Sequence, residues 1–224
     1  SITDTRIDVD SNTSISWTGV YEYDGAPFTG SISLNDTTIK SNVGRHGYAV
    51  RSVYDPTYGL NAFTSNEVYC IFDRVNVTLS VVDNRINVGS NATILWSGTY
   101  EYDGVLFDGS VTLNNTLTFY STVGRRGYTV VSIMDPTYGL TAFRSNSVPV
   151  TWDRITVYAH GTVDNRVDYD ADGLIWFKLL YQYDGAPVTD GSVYLNGTRP
   201  MSWNSTDNRW EYVDPAPNTV TRNG

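Results

Sequence analysis

The sequence predicts an all-β chain of tandem β-sandwich domains, and three observations carry that expectation. Charged residues make up only 17% of the 224, while 17 Tyr, 6 Trp and 7 Phe stand among abundant Thr, Val, Ser, Asn and Gly, the side chains of pleated strands and tight turns. Apolar and polar residues alternate with period two in the strongest segments. The sequence also repeats at about 80 residues, a length that closes one small sandwich rather than one coil of a solenoid.

The repeat is carried by ordered markers. Tyr21-Glu22-Tyr23-Asp24-Gly25 returns as Tyr100-Glu101-Tyr102-Asp103-Gly104 and as Tyr181-Gln182-Tyr183-Asp184-Gly185, at steps of 79 and 81 residues. Gly44-Arg45-His46-Gly47-Tyr48 matches Gly124-Arg125-Arg126-Gly127-Tyr128, and Asp55-Pro56-Thr57-Tyr58-Gly59-Leu60 matches Asp135-Pro136-Thr137-Tyr138-Gly139-Leu140. Phe72-Asp73-Arg74 matches Trp152-Asp153-Arg154. So many markers in one order exclude chance. The boundaries that follow are residues 1–72, a first repeat lacking its leading strand; 73–152, a second; and 153–224, a divergent third lacking its closing strand.

Within each copy the first strong strand is an alternation. Ile15, Trp17, Gly19, Tyr21 and Tyr23 share one face, as do Ile94, Trp96, Gly98, Tyr100 and Tyr102, and Ile175, Phe177, Leu179, Tyr181 and Tyr183. A large aromatic at the second position is expected to enter the sandwich core. An Asp-Gly turn follows, then a second strand running to Asn35 in copy one and Asn196 in copy three. The Asp-Pro loops at 55 and 135 are further turns. Copy three departs from the pattern after Thr198, where Trp210-Glu211-Tyr212-Val213-Asp214-Pro215 is expected to supply the missing strand and loop.

The junctions, Ser65 to Val77 and Ser145 to Val157, hold no Gly-rich or Ser-rich linker. The last strand of one domain is therefore expected to pass almost directly into the first strand of the next, giving an elongated, stiff rod. Both terminal copies are out of phase with a complete sandwich. Either the residues are a section of a longer chain, or a neighbour completes the sandwich by strand complementation and builds head-to-tail self-association.

The combination of Tyr-Glu-Tyr-Asp-Gly-x-x-Phe-x-Gly (from Tyr21 and Tyr100), Asp-Pro-Thr-Tyr-Gly-Leu-x-x-Phe-x-Ser-Asn (from Asp55 and Asp135) and Phe/Trp-Asp-Arg resembles the immunoglobulin-like repeats of large archaeal cell-surface proteins. The resemblance covers essentially the whole chain. It implies tandem immunoglobulin-like β-sandwich domains and an extracellular location in a surface layer, stalk or filament.

Composition narrows the partners. A net charge of -9 repels phosphate backbones and anionic lipid headgroups, so neither nucleic acid nor a membrane surface is an expected partner. Ser1 does not open a signal peptide, and no apolar run is long enough to span a membrane, so no membrane insertion is expected in this segment. Lys40 and Lys178 hold unrelated repeat positions, which argues against a repeated isopeptide staple. The single Cys70, in an apolar strand, is expected to be a buried small side chain rather than a nucleophile or bridge.

Seven Asn-x-Ser/Thr sequons occur, at Asn12, Asn35, Asn76, Asn91, Asn114, Asn196 and Asn204, and N-linked glycans are expected at several of them. Asn12 and Asn91 are repeat equivalents, as are Asn35, Asn114 and Asn196. Asp168-Tyr169-Asp170-Ala171-Asp172-Gly173 sets Asp168, Asp170 and Asp172 at alternate positions before Gly, like the first half of a calcium loop. Leu179 stands where the bidentate acid belongs, and Asp164 is the nearest fourth carboxylate. A polar turn is the competing interpretation, and calcium is the one candidate cofactor. Copy one offers a weaker Asp8-x-Asp10-x-Asn12.

His46 and His160 have no metal-spaced partner and are expected at the surface. No Gly-x-Ser-x-Gly, His-Glu-x-x-His, P-loop or dinucleotide fingerprint occurs, and no enzymatic activity is expected. The expectation is a structural, self-assembling extracellular protein, with an adhesin or glycan-binding stalk as the alternative.

Overall fold

The computed structural model describes residues 1–163 and 171–215. Among them every regular element is a strand, and no helix is long and apolar enough to cross a membrane. Copy one supplies β1 (Arg6–Asp8), β2 (Ser31–Leu34), β3 (Gly44–Tyr48), β4 (Val50–Tyr54) and β5 (Val68–Asp73). Copy two supplies β6 (Val75–Val81), β7 (Arg85–Asn87), β8 (Ile94–Tyr100), β9 (Ser110–Leu113), β10 (Gly124–Met134), β11 (Phe143–Ser145) and β12 (Ser147–Asp153). Copy three supplies β13 (Ile155–Thr162), β14 (Gly173–Tyr181), β15 (Tyr194–Leu195), β16 (Arg199–Pro200), β17 (Ser202–Asn204) and β18 (Arg209–Asp214).

The chain packs as two compact units, one of Ser1–Val82, Ile94–Thr116 and Gly127–Val148, the other of Asp83–Thr93, Leu117–Arg126 and Pro149–Gly224. Copy two contributes to both. In the first unit β5 lies between β3, antiparallel, and β1, parallel, with Arg6 opposite Ile71 and Asp8 opposite Asp73. Tyr48, Cys70 and Phe72 are buried there against Ile2, Ile7 and Ile15. Also in this unit β6 runs between antiparallel β8 and parallel β11. Its Val75, Val77 and Leu79 are buried on one face against Tyr100, Phe107, Val130 and Leu140, which is the alternation a half-buried strand requires.

Two glycines make that packing possible. The ring of Phe107 lies so close over Gly98 and Gly109 that a Cβ would fall 3.0 and 2.4 Å from its carbons, and at Gly109 also 2.1 Å from the Met134 carbonyl. Phe28 makes the same approach to Gly19 and Gly30, so the Phe-x-Gly spacing marks a ring folded over the following backbone.

In the second unit β7 pairs with β12 in parallel, Arg85 opposite Thr151 and Asn87 opposite Asp153, the register of β1 on β5. Trp152 is buried, edge-on to Tyr120 at 4.7 Å, and its indole N–H donates to the Ser90 carbonyl. Copy three forms a four-stranded sheet in the order β13-β14-β18-β17 and a two-stranded sheet of β15 and β16, with Leu179, Val188, Met201 and Trp210 as its core.

Only Arg74 separates β5 from β6, and only Arg154 separates β12 from β13, as the lean junctions led one to expect. Three expectations are corrected. Residues 15–23 of copy one form isolated bridges, Ile2 to Ile15 and Val20 to Pro27, rather than a strand, because no described strand lies along them as β6 lies along β8. Trp17 and Trp96 sit at the rim rather than in the core, each tilted against a Phe near 6 Å. The Trp210–Asp214 segment is a strand, but it pairs with β14, whereas its counterparts β4 and β10 pair with β2 and β9.

Candidate functional site

A corner built from Arg6, Asp73 and the Asp103 turn recurs in the chain. β1 carries Arg6 and β5 ends on Asp73, so their parallel register brings the guanidinium to the carboxylate at 3.4 Å. Arg6 also donates to Asp103 Oδ2 at 2.5 Å, and its guanidinium lies over the rings of Tyr138 and Tyr100, at 4.4 and 5.1 Å from their centroids. Asp73 Oδ1 accepts the backbone N–H groups of Arg74 and Tyr102. Arg74 in turn makes a bidentate pair with Glu101, at 2.5 and 2.8 Å.

Electrostatics differ within the corner. Burial pushes the Asp73 carboxyl above its ordinary value despite the backbone donors and Arg6. Burial also acts upward on Asp103, but the Arg6 hydrogen bond and charge outweigh it and hold that carboxyl low. The Arg74 hydrogen bond holds Glu101 low.

The second unit repeats the corner. Arg85 reaches Asp153 at 3.1 Å, also pairs with Asp184, and lies 4.3 Å over the Tyr181 ring. Asp153 accepts from the backbone of Arg154 and Tyr183. Gln182 replaces Glu101, so among the described residues that position keeps the backbone bond from Gln182 N–H to the Arg154 carbonyl without the side-chain pair.

Copy one presents the same turn without an Arg–Asp corner on it among the described residues. Tyr21 N–H bonds to the Ala26 carbonyl, Ala26 N–H to Asp24 Oδ1, and the Tyr21 hydroxyl to Asp55, as their equivalents do around Tyr100. Gly25, Gly104 and Gly185 take φ of 71, 71 and 69°, the left-handed conformation this turn demands. Yet Tyr23 is fully exposed at 101%, against 38% for Tyr102, and Glu22 and Asp24 face solvent.

Behind that turn opens a groove of about 720 Å³. Phe28, Ile32, Val50, Leu60, Phe63 and Val68 line it, and their counterparts Phe107, Val111, Val130, Leu140, Phe143 and Val148 are the side chains that pack around β6 in copy two. Leu60 is 53% exposed where Leu140 is 2%.

Asp168, Asp170 and Asp164 lie outside the described residues. Asp172 immediately precedes β14. Asp8, the weaker acid in copy one, accepts from Thr141 N–H, Thr141 Oγ1 and Ala142 N–H, so it is a structural acceptor. Among the sequons, Asn12 and Asn91 are exposed at equivalent bridges to Ile39 and Phe119. Asn35 and Asn114 are exposed, but their carboxamides span backbone groups: Asn114 donates to the Gly127 carbonyl and accepts from Thr129 N–H, and Asn35 does the same with Gly47 and Ala49. Asn76 is half-buried in β6. Asn196 is exposed at φ 52°, and Asn204 accepts from Thr206 and Asp207 in a turn.

Cys70 is fully buried with its thiol on the Asp4 carbonyl, and burial raises its pKa. His46 is half-buried, edge-on to Phe72, and His160 is exposed, stacked on Phe177. Arg6 and Arg85 were not singled out from sequence. The available signal was the recurrence of Arg6-Ile7-Asp8 as Arg85-Ile86-Asn87 and Arg166-Val167-Asp168.

No protein-family model matches the chain, and no curated protein matches it in sequence. Among solved structures the chain is similar to FdeC, an Escherichia coli adhesin, at 14% identity and a TM-score of 0.34, covering 96% of this chain and 87% of that one. A likeness this distant carries no functional argument.

Proposed function

We propose that the chain is a structural protein of an extracellular surface: a glycosylated run of immunoglobulin-like modules forming part of a surface filament or surface layer, in which neighbouring modules complete one another by strand exchange. The observation that carries this reading is the recurrence of the Arg–Asp–Asp corner at both junctions, around Arg6 and around Arg85. Joints closed by ion pairs and one-residue connections transmit load between modules, which a flexible linker does not. The seven sequons and the acidic surface suit a hydrated exterior.

The test is imaging. Antibody labelling of intact source cells is expected to decorate their surface, and the purified chain is expected to form ordered assemblies in negative stain. A chain that stays monomeric at every concentration and is absent from the cell surface would sink the proposal.

A further inference from the structure

We infer that Asn12 and Asn91 are the glycan acceptors of the first two repeats, with the first sugar lying on Ile39 and on Phe119, and that the sequons at Asn35 and Asn114 stay bare. This deepens the proposed function and rests on its glycosylated exterior.

The four asparagines form two pairs of repeat equivalents, and each pair has its own geometry. N-glycosylation joins Nδ2 to the anomeric carbon of a glycan activated on a phosphate-linked carrier. The carbon–oxygen bond to that phosphate breaks and leaves its electron pair with the carrier, while the amide gives up one proton. The product is a secondary amide, planar and trans, so the sugar replaces the hydrogen on the oxygen's side of the C–N bond. At Asn114 that hydrogen is in use. Oδ1 accepts from Thr129 N–H while Nδ2 donates to the Gly127 carbonyl, and a carboxamide reaches two groups on one strand edge with its oxygen and the hydrogen beside it. Asn35 makes the same two bonds, to Ala49 and Gly47. A sugar on either nitrogen would displace the bond to the glycine carbonyl and meet the strand that provides it.

Asn12 and Asn91 are exposed, and their carboxamides have no hydrogen-bond partner among the described residues. Each lies across an antiparallel bridge from an apolar side chain, Asn12 from Ile39 and Asn91 from Phe119. Thr13 N–H bonds to the Thr38 carbonyl and Ala92 N–H to the Thr118 carbonyl. That makes both pairs the close, non-hydrogen-bonded kind, with Cα atoms about 4.5 Å apart. Ile39 and Phe119 are 54% and 51% exposed, so the apolar face of the first sugar ring has a side chain to cover, most favourably the aromatic one. Ser14 and Thr93, the hydroxyl residues of these two sequons, are exposed as well, which leaves each whole triplet open to a transferring enzyme.

The test is glycopeptide mass spectrometry on the chain purified from its source cells. Peptides holding Asn12 and Asn91 are expected to carry glycan mass, and those holding Asn35 and Asn114 to be unmodified. A glycan on Asn35 or Asn114, or a bare Asn12 or Asn91, overturns the inference. A second measurement reads the contact with the ring. In chains from the same cells, Asn91→Gln is expected to lower the melting temperature by roughly 2–4 °C, and Phe119→Ser to abolish that difference. An unchanged difference in Phe119→Ser overturns the placement of the sugar. Wholly bare chains that still form ordered surface assemblies remove these sites and leave the structural function standing. Glycans on Asn12 and Asn91 of a chain absent from any cell surface do the opposite.

Discussion

Arg6 and Asp73 lie 3.4 Å apart on adjacent parallel strands, with their side chains 4% and 0% exposed. Among the described residues neither Arg6 Nε nor Asp73 Oδ2 has a hydrogen-bond partner, so at these two atoms their mutual charge offsets desolvation, beside the Asp103 bond to Arg6 and the two backbone donors to Asp73. Arg6→Met would leave Asp73 buried without its counter-charge, held only by its two backbone donors. Such a loss costs about 3 kcal/mol or more, and urea denaturation is expected to show it as a lower midpoint. Arg85→Met removes the equivalent group where the arginine is 31% exposed, and a smaller loss is expected. Equal losses would mean that burial does not set the strength of the corner.

Acid should loosen the first corner through Glu101. Its carboxyl is held below the ordinary value of 4.5, chiefly by the Arg74 hydrogen bond, so its stabilisation is complete above pH 4.5 and is lost as the pH falls through the folded value. Asp73 works in the opposite direction: its folded pKa is raised above 3.8 by burial, so its ionisation opposes folding as the pH rises past that value. Melting temperature measured from pH 7 to pH 3 is expected to fall on the acid side, and Glu101→Gln is expected to flatten that fall while costing about 0.5–1 kcal/mol at neutral pH. An unchanged acid limb in Glu101→Gln would place the sensitivity elsewhere.

Two junction-following strands should respond unequally to truncation. Leu79 in β6 is 2% exposed, whereas Val157 in β13 is 53% exposed. Leu79→Ala is expected to lower stability by about 2–5 kcal/mol and Val157→Ala by less than about 0.5 kcal/mol. Guanidinium midpoints measure both.

The sequon at Asn114 should have a structural cost that the one at Asn91 lacks. Asn114 bridges the Gly127 carbonyl and the Thr129 N–H at 3.3 and 2.9 Å, so Asn114→Gln displaces an amide from two hydrogen bonds. In protein made without glycosylation it is expected to lose about 1–2 kcal/mol, with Asn91→Gln near neutral. Matching values would mean that the Asn114 amide contributes nothing beyond its sequon.

Gly109 offers a packing test. An added methyl meets the Met134 carbonyl and the Phe107 ring at 2.1 and 2.4 Å, while Gly127 has open space. Gly109→Ala is expected to destabilise by about 1–3 kcal/mol through overpacking, and Gly127→Ala to be tolerated. A melt that ranks the two the other way would contradict the packing of Phe107.

Much of the fold was legible in the chain. Period-two alternation gave the all-β class and put Gly98 and Tyr100 on the buried face of β8, and Asp-Gly with Asp-Pro gave the turns, because these depend on residues a few positions apart. The repeat markers also located the junction motif Phe/Trp-Asp-Arg. What the sequence by itself determined is therefore local conformation and its recurrence. Tertiary structure alone decided that Arg6 meets Asp73 and Asp103, 67 and 97 positions away, that β1 joins β5 in parallel, and that residues 15–23 stay unpaired as a strand while residues 94–100 are paired. Strand pairing is fixed by which edge is free when distant segments meet, and an alternating sequence fits any free edge equally well until the surrounding core closes on it.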